Sequence, residues 1–194
     1  VTLTVTDIAG NTDTATATVT VQEDPNQTLT AIAQDITVAL DANGVATIAA
    51  SDVDNGSGSG CNSNPSLSLD RTNFNCDDLG TNTVILTVTD GNSSDTATAT
   101  VTVVDNLPPI VVTQDITVQL DINGQANISV SDVEGTYSDN CQVSTQILDI
   151  TDFDCGDLGV NTVTITIGDS SGNTATGTAI VTIVDSSVPT AIAK

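Results

Sequence analysis

"TNTVILTVTDGNSSDTATATVTVVDNLPP", residues 81–109, alternates with a period of two and doubles back once. Val84, Leu86 and Val88 point one way, and Thr83, Thr87 and Thr89 the other. After the "DGNSSD" turn, Ala97, Ala99, Val101 and Val103 face inward while Thr96, Thr98, Thr100 and Thr102 face outward. Such alternation belongs to half-buried strands, and β-branched residues suit a pleated surface. The stretch is therefore a pair of strands with an apolar core face and a hydroxyl face in water. It ends in an acidic, proline-rich seam at Asp105-Asn106.

The rest of the chain repeats this unit. "AQDITVALDANGVATIAASDVD" (33–54) matches "TQDITVQLDINGQANISVSDVE" (113–134), and "FNCDDLGTNTVILTVTD" (74–90) matches "FDCGDLGVNTVTITIGD" (153–169). The opening "VTLTVTDIAGNTDTATATVTV" reads as the back half of another copy, and "PTAIAK" echoes "TAIAQ" at 30–34. A repeat of this kind marks a tandem array. Asp35–Leu40 and Val45–Ser51 alternate around "DANG", an Asn-Gly hairpin pattern, and no stretch shows a helical period. About seven short strands in ~80 residues fit an immunoglobulin-like or fibronectin-III-like sandwich. The expectation is an all-β linear array: 1–24 as the end of a preceding repeat, 25–105 and 106–185 as complete repeats, and 186–194 as the start of the next.

Composition narrows the function. The 194 residues carry a net charge of −23, with Arg71 and Lys194 the only side-chain cations. Phosphate binding replaces counterions with Lys or Arg, so nucleic acid is excluded as a partner, and an anionic membrane surface with it. No apolar run approaches the ~18 residues of a membrane span. The charge favours solubility and divalent cations. With no His, catalysis would have to rest on a carboxylate pair as in glycosidases. Every candidate Asp already has a turn or joint role, so the chain is read as a non-enzyme.

Each complete repeat holds two cysteines about 15 residues apart. The economical pairing is local, Cys61–Cys76 and Cys141–Cys155, contributing roughly 3 kcal/mol each by chain entropy. Zinc is the competing reading, but two Cys and no His leave such a site two ligands short. Disulfides imply an oxidising, extracytoplasmic setting.

Threading the strands gathers acids at the end of each sandwich that meets the preceding linker. One set is Glu23, Asp24, Asp52, Asp54, Asp90 and Asn92, and the other is Asp105, Asn106, Asp132, Glu134, Asp139, Asp169 and Asn173. Carboxylate and amide oxygens without nitrogen or sulfur suit Ca²⁺, which takes 6–8 oxygens. The alternative is ordinary turn chemistry for Asp, Asn, Ser and Gly, preferred for Asp41-Asn43-Gly44 and Asp121-Asn123-Gly124. The second repeat has Ser59-Gly60 where the third has Asp139-Asn140, so the two joints are unequal.

Asp13-Thr14-Ala15 and Asp95-Thr96-Ala97 resemble the Asp-Thr-apolar O-glycosylation motif of Bacteroidota, making Thr14 and Thr96 candidate acceptors. "SDNC", "F-x-C-x-D-L-G-x-N-T-V", "TVTD…GN" and "VVDN-x-x-P" resemble the hyalin-type (HYR-like) repeats of Bacteroidota surface proteins, most of all those of SprB-type gliding-motility adhesins. The resemblance covers essentially the whole chain, with "SGSGC" a departure in the middle repeat. It implies type IX secretion, display as long cell-surface filaments, and adhesion to polysaccharide or abiotic surfaces through the parent protein. The chain's own partners would then be its neighbouring repeats. The alternative is a carbohydrate-binding module, for which Tyr137 is the one aromatic available near a loop.

Overall fold

A computed structural model describes residues 1–21, 28–60, 65–90, 93–188 and 191. It is all-β, with two sandwiches in series after an initial hairpin. The hairpin pairs β1 (Thr2–Thr6) with β2 (Thr12–Thr16), placing Thr2 opposite Thr16, and all its residues are exposed.

The first sandwich contains β3 (Ile36–Ala39), β4 (Val45–Thr47), a helical turn α1 (Ala50–Val53), β5 (Ser66–Leu69), β6 (Asn73–Asn75), β7 (Gly80–Thr89) and β8 (Ser94–Val104). One sheet has the order β3-β8-β7-β5, and β4 pairs with β6 opposite it. β3 runs parallel to β8, Ile36 opposite Val101, and β7 runs antiparallel to β8, Val84 opposite Ala99. The alternation read from the sequence is the alternation observed. Val84, Leu86, Val88, Ala99, Val101 and Val103 are buried, while Thr83, Thr96 and Thr98 are exposed. The core is aliphatic around one ring, Phe74. Arg71 lies 4.5 Å over that ring and pairs with Asp78.

The second sandwich repeats the plan with β9 (Ile110–Thr113), β10 (Ile116–Gln119), β11 (Gln125–Asn127), a helical turn α2 (Val130–Val133), β12 (Glu134–Ser138), β13 (Val143–Leu148), β14 (Asp152–Asp154), β15 (Gly159–Asp169) and β16 (Thr174–Val184). Its sheets are β10-β16-β15-β13, β11-β14 and β12-β9, around Phe153. In the first sandwich the β9–β12 ladder is reduced to two bridges, Thr30–Gly58 and Ala33–Asp54.

Two local expectations are corrected. "DANG" is not a hairpin within one sheet, because β3 pairs with β8 and β4 with β6. It is a turn that crosses between sheets, built by Asp41. The carboxylate accepts the N–H of Asn43 at 2.8 Å and of Val45 at 3.1 Å, while Gly44 takes φ +71°. Those bonds, Val45 first, hold the Asp41 carboxyl below its ordinary range. The strand expected through Ser51 stops at Thr47 and gives way to α1. A single helical turn is too short to display a 3.6-residue period.

Candidate metal centre at the sandwich junction

Three strand ends meet where one sandwich hands over to the next. Asp105 follows β8, Asp139 follows β12, and Asp169 is the last residue of β15. Each offers a carboxylate oxygen, and these atoms all lie within 4.8 Å of one another. That span is about twice a Ca–O bond of ~2.4 Å, the widest separation of two ligands across one ion. Asp105 and Asp169 are each only 5% exposed.

The surrounding hydrogen bonds fix the cluster and leave part of it open. Asp169 Oδ1 accepts the N–H groups of Ser171 and Asn173, and its Oδ2 accepts Asn173 Nδ2 at 2.7 Å. Asn173 Nδ2 also donates to the Asp105 carbonyl at 3.1 Å, tying the last turn to the linker. Asp105 Oδ1 accepts Leu107 N–H and Asn140 Nδ2, and Asp139 Oδ2 accepts Cys141 N–H. Asp105 Oδ2, Asp139 Oδ1 and Asn140 Oδ1 are buried without a hydrogen-bond donor. Buried acceptors are normally satisfied, and an unpaired buried charge is costlier still. Three such oxygens at one junction, among three carboxylates, form a donor set suited to a hard divalent cation.

Other members of the expected sets lie elsewhere. Asp132 and Glu134 do not reach this junction, because the chain needs all of β12 to travel from α2 back to the linker end. Asp132 instead accepts the N–H and hydroxyl of Ser129, and Glu134 sits opposite Thr113. Asp52 accepts Ala49 N–H in the matching place, and Asp54 accepts Gly56 and Ser57 N–H. Asn106 is exposed beside the cluster. Asp90 accepts Ser93 N–H at the β7–β8 turn, the position of Asp169. Glu23, Asp24 and Asn92 lie outside the described residues, as does Cys61. Thr14 and Thr96 are exposed on β2 and β8.

The cysteine pairing is also corrected. Cys76 is bonded to Cys141, with Cα atoms 5.5 Å apart, and Cys155 is a free, exposed thiol. The bond joins the two sandwiches rather than closing either. Cys141 lies at the linker end of its sandwich, since Val143 pairs with Asp169. Cys155 lies at the far end, before Gly159. The eleven residues from Gly159 to Asp169 span roughly 33 Å, far beyond the ~4.4–6.8 Å that a disulfide tolerates between Cα atoms. Fifteen residues of sequence thus conceal nearly a full sandwich length.

The disulfide borders the acidic cluster. Asn140 Nδ2 donates to the Asp41 carbonyl of the first sandwich, and the Asn140 carbonyl lies 3.4 Å from Cys76 Sγ. Cys141 packs against the first sandwich's core. Gly44 lies under this contact, and a Cβ there would overlap the Asn140 carbonyl and stand 2.7 Å from Cys76 Sγ. The Asp139-Asn140-Cys141 loop therefore serves cluster, interface and cross-link at once.

Among solved structures, the chain is similar to the four-domain fragment of Sidekick-1 immunoglobulin domains 1–4, at 8% identity and TM-score 0.45, over 93% of this chain and 57% of that one. It is similar to the N-terminal four Ig domains of Dscam1 isoform 6.9, at 10% identity and TM-score 0.43, over 91% and 52%. It is also similar to protocadherin gamma B7 extracellular cadherin domains 1–4, at 11% identity and TM-score 0.38, over 82% and 51%. The chain thus spans about half the length of these structures. No protein-family model and no curated protein sequence matches it.

Proposed function

We propose that this chain is a stalk segment of a secreted, HYR-like cell-surface adhesin of the SprB type, with junctions stiffened by calcium. The observation that carries the reading is the junction itself. Asp105, Asp139 and Asp169 converge there, with three buried oxygens unpaired and a disulfide alongside. Three carboxylates in that space repel one another, and a divalent cation would cancel most of their charge and complete the oxygens' coordination. Asp105 belongs to the linker and the other two to the following sandwich, so a bound ion would fix the angle between them.

The remaining features suit a load-bearing spacer outside the cell. A disulfide between sandwiches resists separation and calls for an oxidising compartment. No helix among the described residues is long and apolar enough to cross a membrane. Each ten- or eleven-residue strand lengthens the array by roughly 33 Å. Surface attachment and gliding would be the work of the whole filament.

Thermal melting and small-angle scattering on residues 1–194, in calcium and in chelator, test the proposal. Calcium should raise the melting temperature and sharpen a fixed maximum dimension. Identical melting and scattering in both conditions would overturn the cation-locked joint.

A further inference from the structure

The disulfide joins two repeats. Cys76 faces forward and Cys141 back. Cys155 holds in the second sandwich the place Cys76 holds in the first. Both open a 3-10 turn capped by the preceding side chain, Asn75 or Asp154, two residues after the core Phe. Both place Sγ 3.7 Å from a turn carbonyl, Gly44 or Gly124.

The face around Cys155 matches the one that receives the Asp139-Asn140-Cys141 loop, and it is uncovered. Asp105 is buried, whereas Asp185 at the corresponding position is exposed. Leu79 and Cys76 are half-buried, whereas Leu158 and Cys155 are exposed. Gly44 is buried, whereas Gly124 is half-buried. Gly124 repeats the positive φ of Gly44, at +74°, and like Gly44 has no Cβ to stand against an incoming loop. Beyond Asp185 the sequence resumes with Thr190-Ala191-Ile192-Ala193, matching Thr30-Ala31-Ile32-Ala33.

We propose that Cys155 and its surrounding face are the docking and cross-linking site for the Asp-Asn-Cys loop of a following repeat, so that the array is joined in series by one disulfide per junction. Asp185 would receive the loop's Asn amide as Asp105 receives that of Asn140. The Asp121 carbonyl would receive it as the Asp41 carbonyl does. By sequence position Cys61 is the counterpart of Cys141. The bond forms by thiol–disulfide exchange. The Cys155 thiolate attacks the disulfide of an oxidant, either a thiol–disulfide oxidoreductase or oxidised glutathione, forming a mixed disulfide and releasing one thiol. The incoming loop's thiolate then displaces the second. Two thiols lose two protons and two electrons, and the oxidant's disulfide becomes two thiols.

The test uses the full chain through Asp185 with a second copy of residues 106–185 fused after it, the added copy carrying Gln142→Asn and Asp154→Asn so that its cysteine peptides differ in mass from the first copy's. The protein is refolded in a glutathione redox buffer containing chelator, so that cation binding plays no part. Free thiols are alkylated, and the chain is cut by an Asp-specific protease without reduction for mass spectrometry. The expected product links Cys155 to the Cys141 of the added copy, beside the Cys76–Cys141 peptide, with the added copy's Cys155 alkylated. With Cys155→Ser, the added copy's Cys141 should become alkylated. In residues 1–194 alone, Cys155 should be fully alkylated under native conditions. An alkylated Cys155 in the extended chain, a Cys141–Cys155 bond within one copy, or an unlinked Cys76–Cys141 pair would each overturn the proposal.

Discussion

Replacing Cys76 and Cys141 together by Ser tests the inter-sandwich bond without leaving either partner as a new free thiol. The bond connects residues 65 apart, for which chain entropy gives about 4 kcal/mol of stabilisation. At a urea m-value of about 2 kcal/mol/M, that is a midpoint lowered by about 2 M. Circular dichroism in chelator isolates this contribution from any cation. Reducing the parent chain should reproduce the shift, since both treatments release the same loop. The double variant should also lose coupling between the sandwiches and broaden or split its transition. An unchanged midpoint in both the variant and the reduced chain would refute the reasoning, because the two sandwiches would then be stable without the bond.

Four further outcomes follow from the packing and the turn hydrogen bonds. Phe74→Ala removes the single ring of the first core and should cost about 3–5 kcal/mol, read by urea unfolding. Gly44→Ala should lower the melting temperature and expose Cys76 to reductant, since its Cβ would meet the Asn140 carbonyl and Cys76 Sγ. Gly80→Ala, with nothing within 4 Å of its Cβ, should cost only backbone strain and leave the disulfide protected. The carboxyls of Asp41, Asp121 and Asp132 are held low by backbone N–H groups, first those of Val45, Gln125 and Ser129. The unfolded chain therefore binds more protons in acid. Their stabilisation should be complete above an unfolded pKa of about 3.9 and fade as pH falls through the lower folded values, read as a falling melting temperature.

What the sequence revealed follows from how each feature is encoded. β7 and β8 were legible because alternation over ten or eleven residues is a local property of the chain. The meeting of Asp105, Asp139 and Asp169 was legible too, since each lies beside a strand end whose direction the turns dictate. Asp132 and Glu134 were misplaced by the length of β12, a strand hidden in "EGTYS", where an exposed edge keeps little alternation. The cysteine partner was the least legible. Spacing suggests proximity only where the chain turns back, and Cys141 and Cys155 are separated by β13 and β14, which together carry the chain from one end of the sandwich to the other. The matched repeat offset held the better clue, since non-equivalent cysteines at opposite ends of a repeat meet only across a junction, Cys76 of one repeat with Cys141 of the next.

The most direct test of the central claim uses the one tyrosine in a chain without tryptophan. Tyr137 lies on β12 two residues before Asp139, roughly 7 Å along the strand. Terbium, a hard oxygen-seeking ion that stands in for calcium, should therefore luminesce by energy transfer from Tyr137 when it occupies the junction. The account predicts a saturable signal that calcium displaces and that Asp105→Asn with Asp169→Asn abolishes. No sensitised emission, or emission that persists unchanged in that variant, would contradict it.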